Sequence, residues 1–103
     1  MAILHSVLFK ARPTATTEQT DAMMAAIAAF KAQLPDLIQS MYSGVDSGPQ
    51  TKGFSYSFTM IFKNKADIDT YLASKEHRQF EKKVRHILMD AIVIDYEIPD
   101  AKL

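Results

Sequence analysis

Phe54-Ser55-Tyr56-Ser57-Phe58-Thr59-Met60-Ile61-Phe62 alternates without interruption. Phe54, Tyr56, Phe58, Met60 and Phe62 share one face, and Ser55, Ser57, Thr59 and Ile61 share the other. A period of two with aromatic residues on one side predicts a β-strand half-buried against a core. Gly44 to Gly53, just upstream, is rich in Gly, Ser and Pro and reads as a loop. Leu37 to Val45 before it reads as another strand, with Ile38, Ser40 and Tyr42 on one face and Leu37, Gln39 and Met41 on the other.

Pro35 closes the segment that precedes this pair. From about Thr17 to Leu34, Thr20, Met23, Ile27, Phe30 and Leu34 recur at helical spacing, and Thr16 or Thr17 can cap the start. The chain begins with alternation over Ile3 to Lys10, where Ile3, His5, Val7 and Phe9 oppose Leu4, Ser6, Leu8 and Lys10. Downstream, Asn64 caps a helix with Asp67 in its first turn and Ile68, Tyr71 and Leu72 as its apolar stripe. A second helical piece after Ser74 carries Phe80, Val84 and Ile87, and Ala91 to Ile98 forms the last strand. The order β-α-β-β-α-β predicts a ferredoxin-like α+β fold, a four-stranded antiparallel sheet with helices on one face.

The composition narrows the function. Of 103 residues, 48% are hydrophobic, which suits one globular domain spanning 1–103. Twelve basic and twelve acidic residues leave a formal net charge of +0, so there is no basic field for nucleic acid or an anionic membrane surface. No Cys is present, which excludes disulfides, thiolate metal sites and a Cys nucleophile, and points to the cytoplasm. No apolar run approaches the ~20 residues that span a bilayer. Three His without Cys give no metal spacing, and no Gly-rich phosphate loop occurs. The expectation is a protein without metal or cofactor.

The sheet carries more apolar surface than one layer of helices can cover. Ile92, Ile94, Tyr96 and Ile98 oppose Ala91, Val93, Asp95 and Glu97 on the last strand, and whichever set faces the helices, the other needs cover. Leu4 and Leu8 on the first strand, and Leu37 and Met41 on the second, pose the same problem. The expectation is a homodimer in which two sheets meet face to face.

Leu4-His5-Ser6-Val7-Leu8-Phe9-Lys10, Gly53-Phe54-Ser55-Tyr56-Ser57-Phe58, Tyr71-Leu72 with Glu76-His77-Arg78-Gln79-Phe80, and Ile92-Val93-Ile94-Asp95-Tyr96-Glu97 occur in this order. In this order and spacing the chain resembles the stress-responsive α/β-barrel domain, or dimeric α/β-barrel, proteins. The resemblance implies a homodimeric barrel with helices outside and a small pocket in each protomer. That pocket is expected to take a small hydrophobic molecule, with His5, Tyr56, Met23, Met24, Ile27 and Phe80 lining it. Met23, Met24 and Ile27 read equally as plain core.

More distantly, the chain resembles polyketide cyclases of the olivetolic-acid-cyclase type. That resemblance implies His77 as general base, Tyr71 as oxyanion donor and Asp95 as the carboxylate orienting His77. An imidazole near neutral pH suits proton abstraction beside a carbonyl, and a phenol suits the developing oxyanion. Tyr56 stands where the cyclases carry a further pocket His. The structural alternative for His77 is a hydrogen bond to Asp95 that locks helix to sheet.

Overall fold

The computed structural model describes residues 1–99. Strand β1 (Ile3–Ala11) buries Ile3, His5, Val7 and Phe9 in strict alternation, as its sequence requires. Helix α1 (Thr17–Ala28) starts at Thr16, whose hydroxyl accepts the Gln19 N–H at 3.1 Å while the Gln19 side chain accepts the Thr16 N–H at 2.9 Å. This reciprocal cap satisfies two backbone donors that the first turn would otherwise leave unpaired. Its buried face is Thr20, Met23 and Ile27. The helix expected to continue to Leu34 is interrupted at Ala29, and a short α2 (Phe30–Gln33) follows, burying Phe30.

Strand β2 (Ile38–Val45) and strand β3 (Tyr56–Phe62) form a hairpin around a loop with a 3₁₀ turn at Pro49–Thr51. Gly53 in this loop has φ +90°, a backbone open mainly to glycine, and a Cβ there would come within 2.8 Å of the Lys10 methylenes. The pair of helices α3 (Lys65–Ala73) and α4 (Lys75–Val84) leads into strand β4 (Leu88–Glu97). The strand order is β2-β3-β1-β4, all neighbours antiparallel. This is the ferredoxin-like architecture expected from the order of elements. The last strand begins three residues before the expected Ala91, because Leu88 already pairs with Ala11.

One expectation about strand faces changes, and one open choice is resolved. Ile38 pairs with Phe62 and Ser40 with Ile61, so Gln39 is the extra residue of a bulge. The bulge reverses the alternation, and Met41 pairs with Met60 on the helix side instead of lying on the outer face. Leu37 precedes the strand and packs, with Met41, at the margin of the core. For β4, the register settles the choice left open by its sequence. Val93 lies opposite Val7 and Asp95 opposite His5, so Ala91, Val93 and Asp95 face the helix side. Ile92, Ile94 and Tyr96 face outward beside Leu8, Ser6 and Leu4.

The helices lie mainly over β2 and β3. The core therefore gathers there, around Met23, Ile27, Phe30, Ile38, Met60, Phe62 and Tyr71. β4 lies outside this cover, and none of its residues is fully buried.

Candidate functional site

The gap between α4 and the uncovered β4 is a cavity of about 470 Å³. Val7 and Phe9 of β1 and Phe58 of β3 form its floor, and Leu72, Phe80 and Val84 form the helical wall. Ala91 and Val93 form the β4 wall. Its polar lining comprises two pairs, His5 with Asp95 and His77 with Glu81, and Arg85. Mostly apolar walls with a few polar groups, in a volume of this size, are what small-molecule sites commonly offer.

His5 is 3% exposed and lies directly across the β1–β4 ladder from Asp95. Its Nδ1 is 2.6 Å from Asp95 Oδ1. An ionised carboxylate only accepts, so Nδ1 carries the proton and donates, which leaves the lone pair of a neutral ring on Nε2. The expected Asp95–His77 pair is thus replaced by Asp95–His5. The reason is the register, which brings the His5 and Asp95 side chains together on one sheet face while His77 is carried by α4.

His77 and Tyr71 are positioned by one hydroxyl. Ser74 Oγ donates to the Tyr71 carbonyl at 2.6 Å and accepts the His77 N–H at 3.1 Å, ending α3 and capping α4 in the same stroke. The two rings meet edge to face at 4.9 Å between centroids. Tyr71 is 1% exposed, wedged also against Phe30, Phe62 and His5. Burial, with the nearby Glu81 charge, raises its phenol pKa far above the ordinary 10.0, so the phenol stays protonated and can act as a donor. Tyr71 lies behind His77 and is not part of the cavity wall.

Burial lowers the His77 pKa from 6.5, helped by His5, and outweighs the opposing pull of Glu81 and of the Leu72 carbonyl. Glu81 Oε1 approaches His77 Nδ1 to 3.2 Å without forming a hydrogen bond, and Nδ1 has no hydrogen-bond partner. At neutral pH His77 is therefore a neutral imidazole. The unfolded chain takes up this proton more readily, so the His77 contribution is complete above pH 6.5 and is lost as pH falls toward the lowered folded value. Urea midpoints measured across that range should fall on acidification, and His77→Gln should flatten the slope. An unchanged slope would assign it to other groups.

Of the other expected site residues, Phe80 lines the cavity. Met23 and Ile27 are buried in the core, Met24 is packed against it, and Tyr56 is half-buried at the start of β3; none of these four reaches the cavity wall. Glu81 and Arg85 do reach it without having been expected. Their spacing of four and eight from His77 places them on its helix face, which is the signal that could have found them. Among the described residues no group of three or more His, Asp or Glu converges to hold a metal ion, and no helix is long and apolar enough to cross a membrane.

The outer sheet face has a different character. Leu4, Leu8, Ile92, Ile94, Tyr96 and Tyr42 surround a stripe of hydroxyls in which Ser6 and Thr59 meet at 3.3 Å. A broad open concavity of about 780 Å³ runs from Leu8 and Ile92 to the β2–β3 loop.

Solved structures share this architecture. A dimeric ferredoxin-like protein of unknown function from Bacteroides fragilis is 24% identical, with a TM-score of 0.81 over 94% of this chain and 96% of its own. The hydroxynitrile lyase of Passiflora edulis is 20% identical, with a TM-score of 0.86 over 97% and 95%. A Dabb family protein of Mesorhizobium loti is 19% identical, with a TM-score of 0.74 over 95% and 96%. Among curated proteins no significant match was found. The model of one family matches residues 3–98, from the first residue of β1 to just past β4. The chain belongs to the Dabb family, the stress responsive A/B barrel domain.

Proposed function

We propose that this protein is a homodimer whose protomers each bind a small hydrophobic molecule in the cavity between α4 and β4. The observation that carries the reading is the cavity itself: about 470 Å³, with mostly apolar walls and two imidazoles among its few polar groups. The fitting compound is compact and mostly apolar, with one carbonyl or hydroxyl for His5 or His77. The homodimer is supported by the exposed apolar outer face and by the dimeric state of the Bacteroides relative.

A thermal-shift screen of carbonyl and phenolic metabolites tests the pocket. A ligand at a hundred times its dissociation constant should stabilise the fold by about 2.7 kcal/mol. Val93→Trp should fill the cavity from the β4 side and abolish the response. A compound that shifts both proteins equally binds elsewhere, and a screen led by such compounds would sink the pocket reading.

A second reading is favoured by the protonation states. His77 is neutral, His5 has its Nδ1 proton tied to Asp95, and the Tyr71 phenol stays protonated beside His77. This set suits a cofactor-independent cyclase, lyase or isomerase of a small polyketide-like or aromatic carbonyl compound. His77 would take the proton and Tyr71 would stabilise the oxyanion, directly or after a small shift of His77. Asp95 would act through His5. The likeness to a hydroxynitrile lyase agrees with such chemistry at the level of fold. With a turned-over compound in hand, His77→Ala should abolish turnover at unchanged solution mass; substantial residual turnover would remove His77 from the chemistry.

A further inference from the structure

β4 belongs to both surfaces of this molecule. It is an edge strand, hydrogen-bonded to β1 alone. Its inward residues Ala91, Val93 and Asp95 wall the cavity, and its outward residues Ile92, Ile94 and Tyr96 stand on the opposite face. Both sets are open in the single chain: Val93 is 57% exposed, Ile94 48% and the Asp95 side chain 44%. A strand with one hydrogen-bonded neighbour and no covered face is drawn from the low-stability end of a fold, where local opening begins. Its registration matters to the site, because a one-residue slip would turn Asp95 outward and leave His5 buried without its carboxylate.

We propose that β4 couples assembly to the pocket: the Asp95–His5 contact is formed within one chain, and a second copy seated on Ile92, Ile94 and Tyr96 locks the open strand that carries it. The inference rests on the homodimer reading. Covering three large apolar side chains on one face fixes the strand, and alternation fixes the residues between them. Linkage makes the effect reciprocal, so whatever holds Asp95 on His5 also tightens the dimer.

Tyr42→Asp tests this without touching β4. Tyr42 is on the outer face of β2, at the far edge of the sheet. The variant and the wild type are compared by sedimentation for mass, by the NMR signal of the His5 Nδ1 proton, and by amide exchange. The wild-type dimer should show the Nδ1 proton. The monomeric variant should lose it and exchange the amides of Ile92 to Tyr96 about tenfold faster or more, with those of Phe58 to Phe62 unchanged. A monomeric variant that keeps the Nδ1 proton and the β4 protection overturns the coupling and leaves the homodimer standing. A wild type that is monomeric at micromolar concentration overturns the homodimer itself. If Tyr42→Asp does not fold, or stays dimeric, dilution of the wild type through its dissociation midpoint gives the same comparison by exchange mass spectrometry. In the reverse direction, Asp95→Asn should raise the dimer dissociation constant by about tenfold; an unchanged constant overturns the reciprocity and with it the coupling.

Discussion

Ile94→Asp should convert the protein to a monomer at micromolar concentration. Ile94 is central on the outward face of β4, opposite Ser6, and nearly half its surface is open in the single chain. In a two-fold interface each substitution counts twice, because the same patch is contributed by both copies. An uncompensated carboxylate buried among apolar side chains costs several kcal/mol. Two of them should weaken association at least about a thousandfold, equivalent to about 4 kcal/mol. Light scattering or sedimentation reads the result directly. Far-UV circular dichroism should be unchanged, since Ile94 makes no contribution to the core under the helices. A variant that remains dimeric would place the interface on another surface.

Phe30→Ala should cost about 3–5 kcal/mol of folding stability. Phe30 is 1% exposed, and its ring meets Tyr71 at 5.5 Å and Phe80 at 5.2 Å, both edge to face. The loss combines transfer of a phenyl group to water with a void that three elements border and cannot easily close. Against a total stability of about 5–15 kcal/mol for a domain of this size, that is a large fraction. Urea unfolding gives the number. A loss below about 1.5 kcal/mol would mean that the neighbouring rings collapse into the void. Since Tyr71 backs His77 and Phe80 walls the cavity, the same substitution should also loosen the cavity wall.

Much of this fold can be read along the chain. The alternation of β1 and β3 and the caps at Thr16 and Asn64 are local patterns, and they predict local structure. What could not be read is non-local. The bulge at Gln39 shows only in the pairing of β2 with β3, and it alone moves Met41 inward. The inward face of β4 depends on its register with β1, because Ile92 and Val93 are equally apolar. The same register decides the partner of Asp95. The resemblance to the cyclases pairs Asp95 with His77, yet the ladder places Asp95 opposite His5. Of the residues singled out from their chemistry, His5, His77 and Asp95 line the cavity, and Tyr71 lies behind His77. The apolar walls were harder, since Val93 and Val84 look like any core residue until the helices are seen to stop short of β4.

The two ends of the sheet bear on aggregation. A chain that offers an apolar face and two open strand edges risks growing into a continuous ribbon. β2 ends the sheet with a bulge in its ladder, and β4 ends it with the carboxylates of Asp90 and Glu97. A bulge and repeated like charge both discourage an added strand. Growth at the edges is disfavoured while the face stays open, so face-to-face pairing is favoured over a fibre.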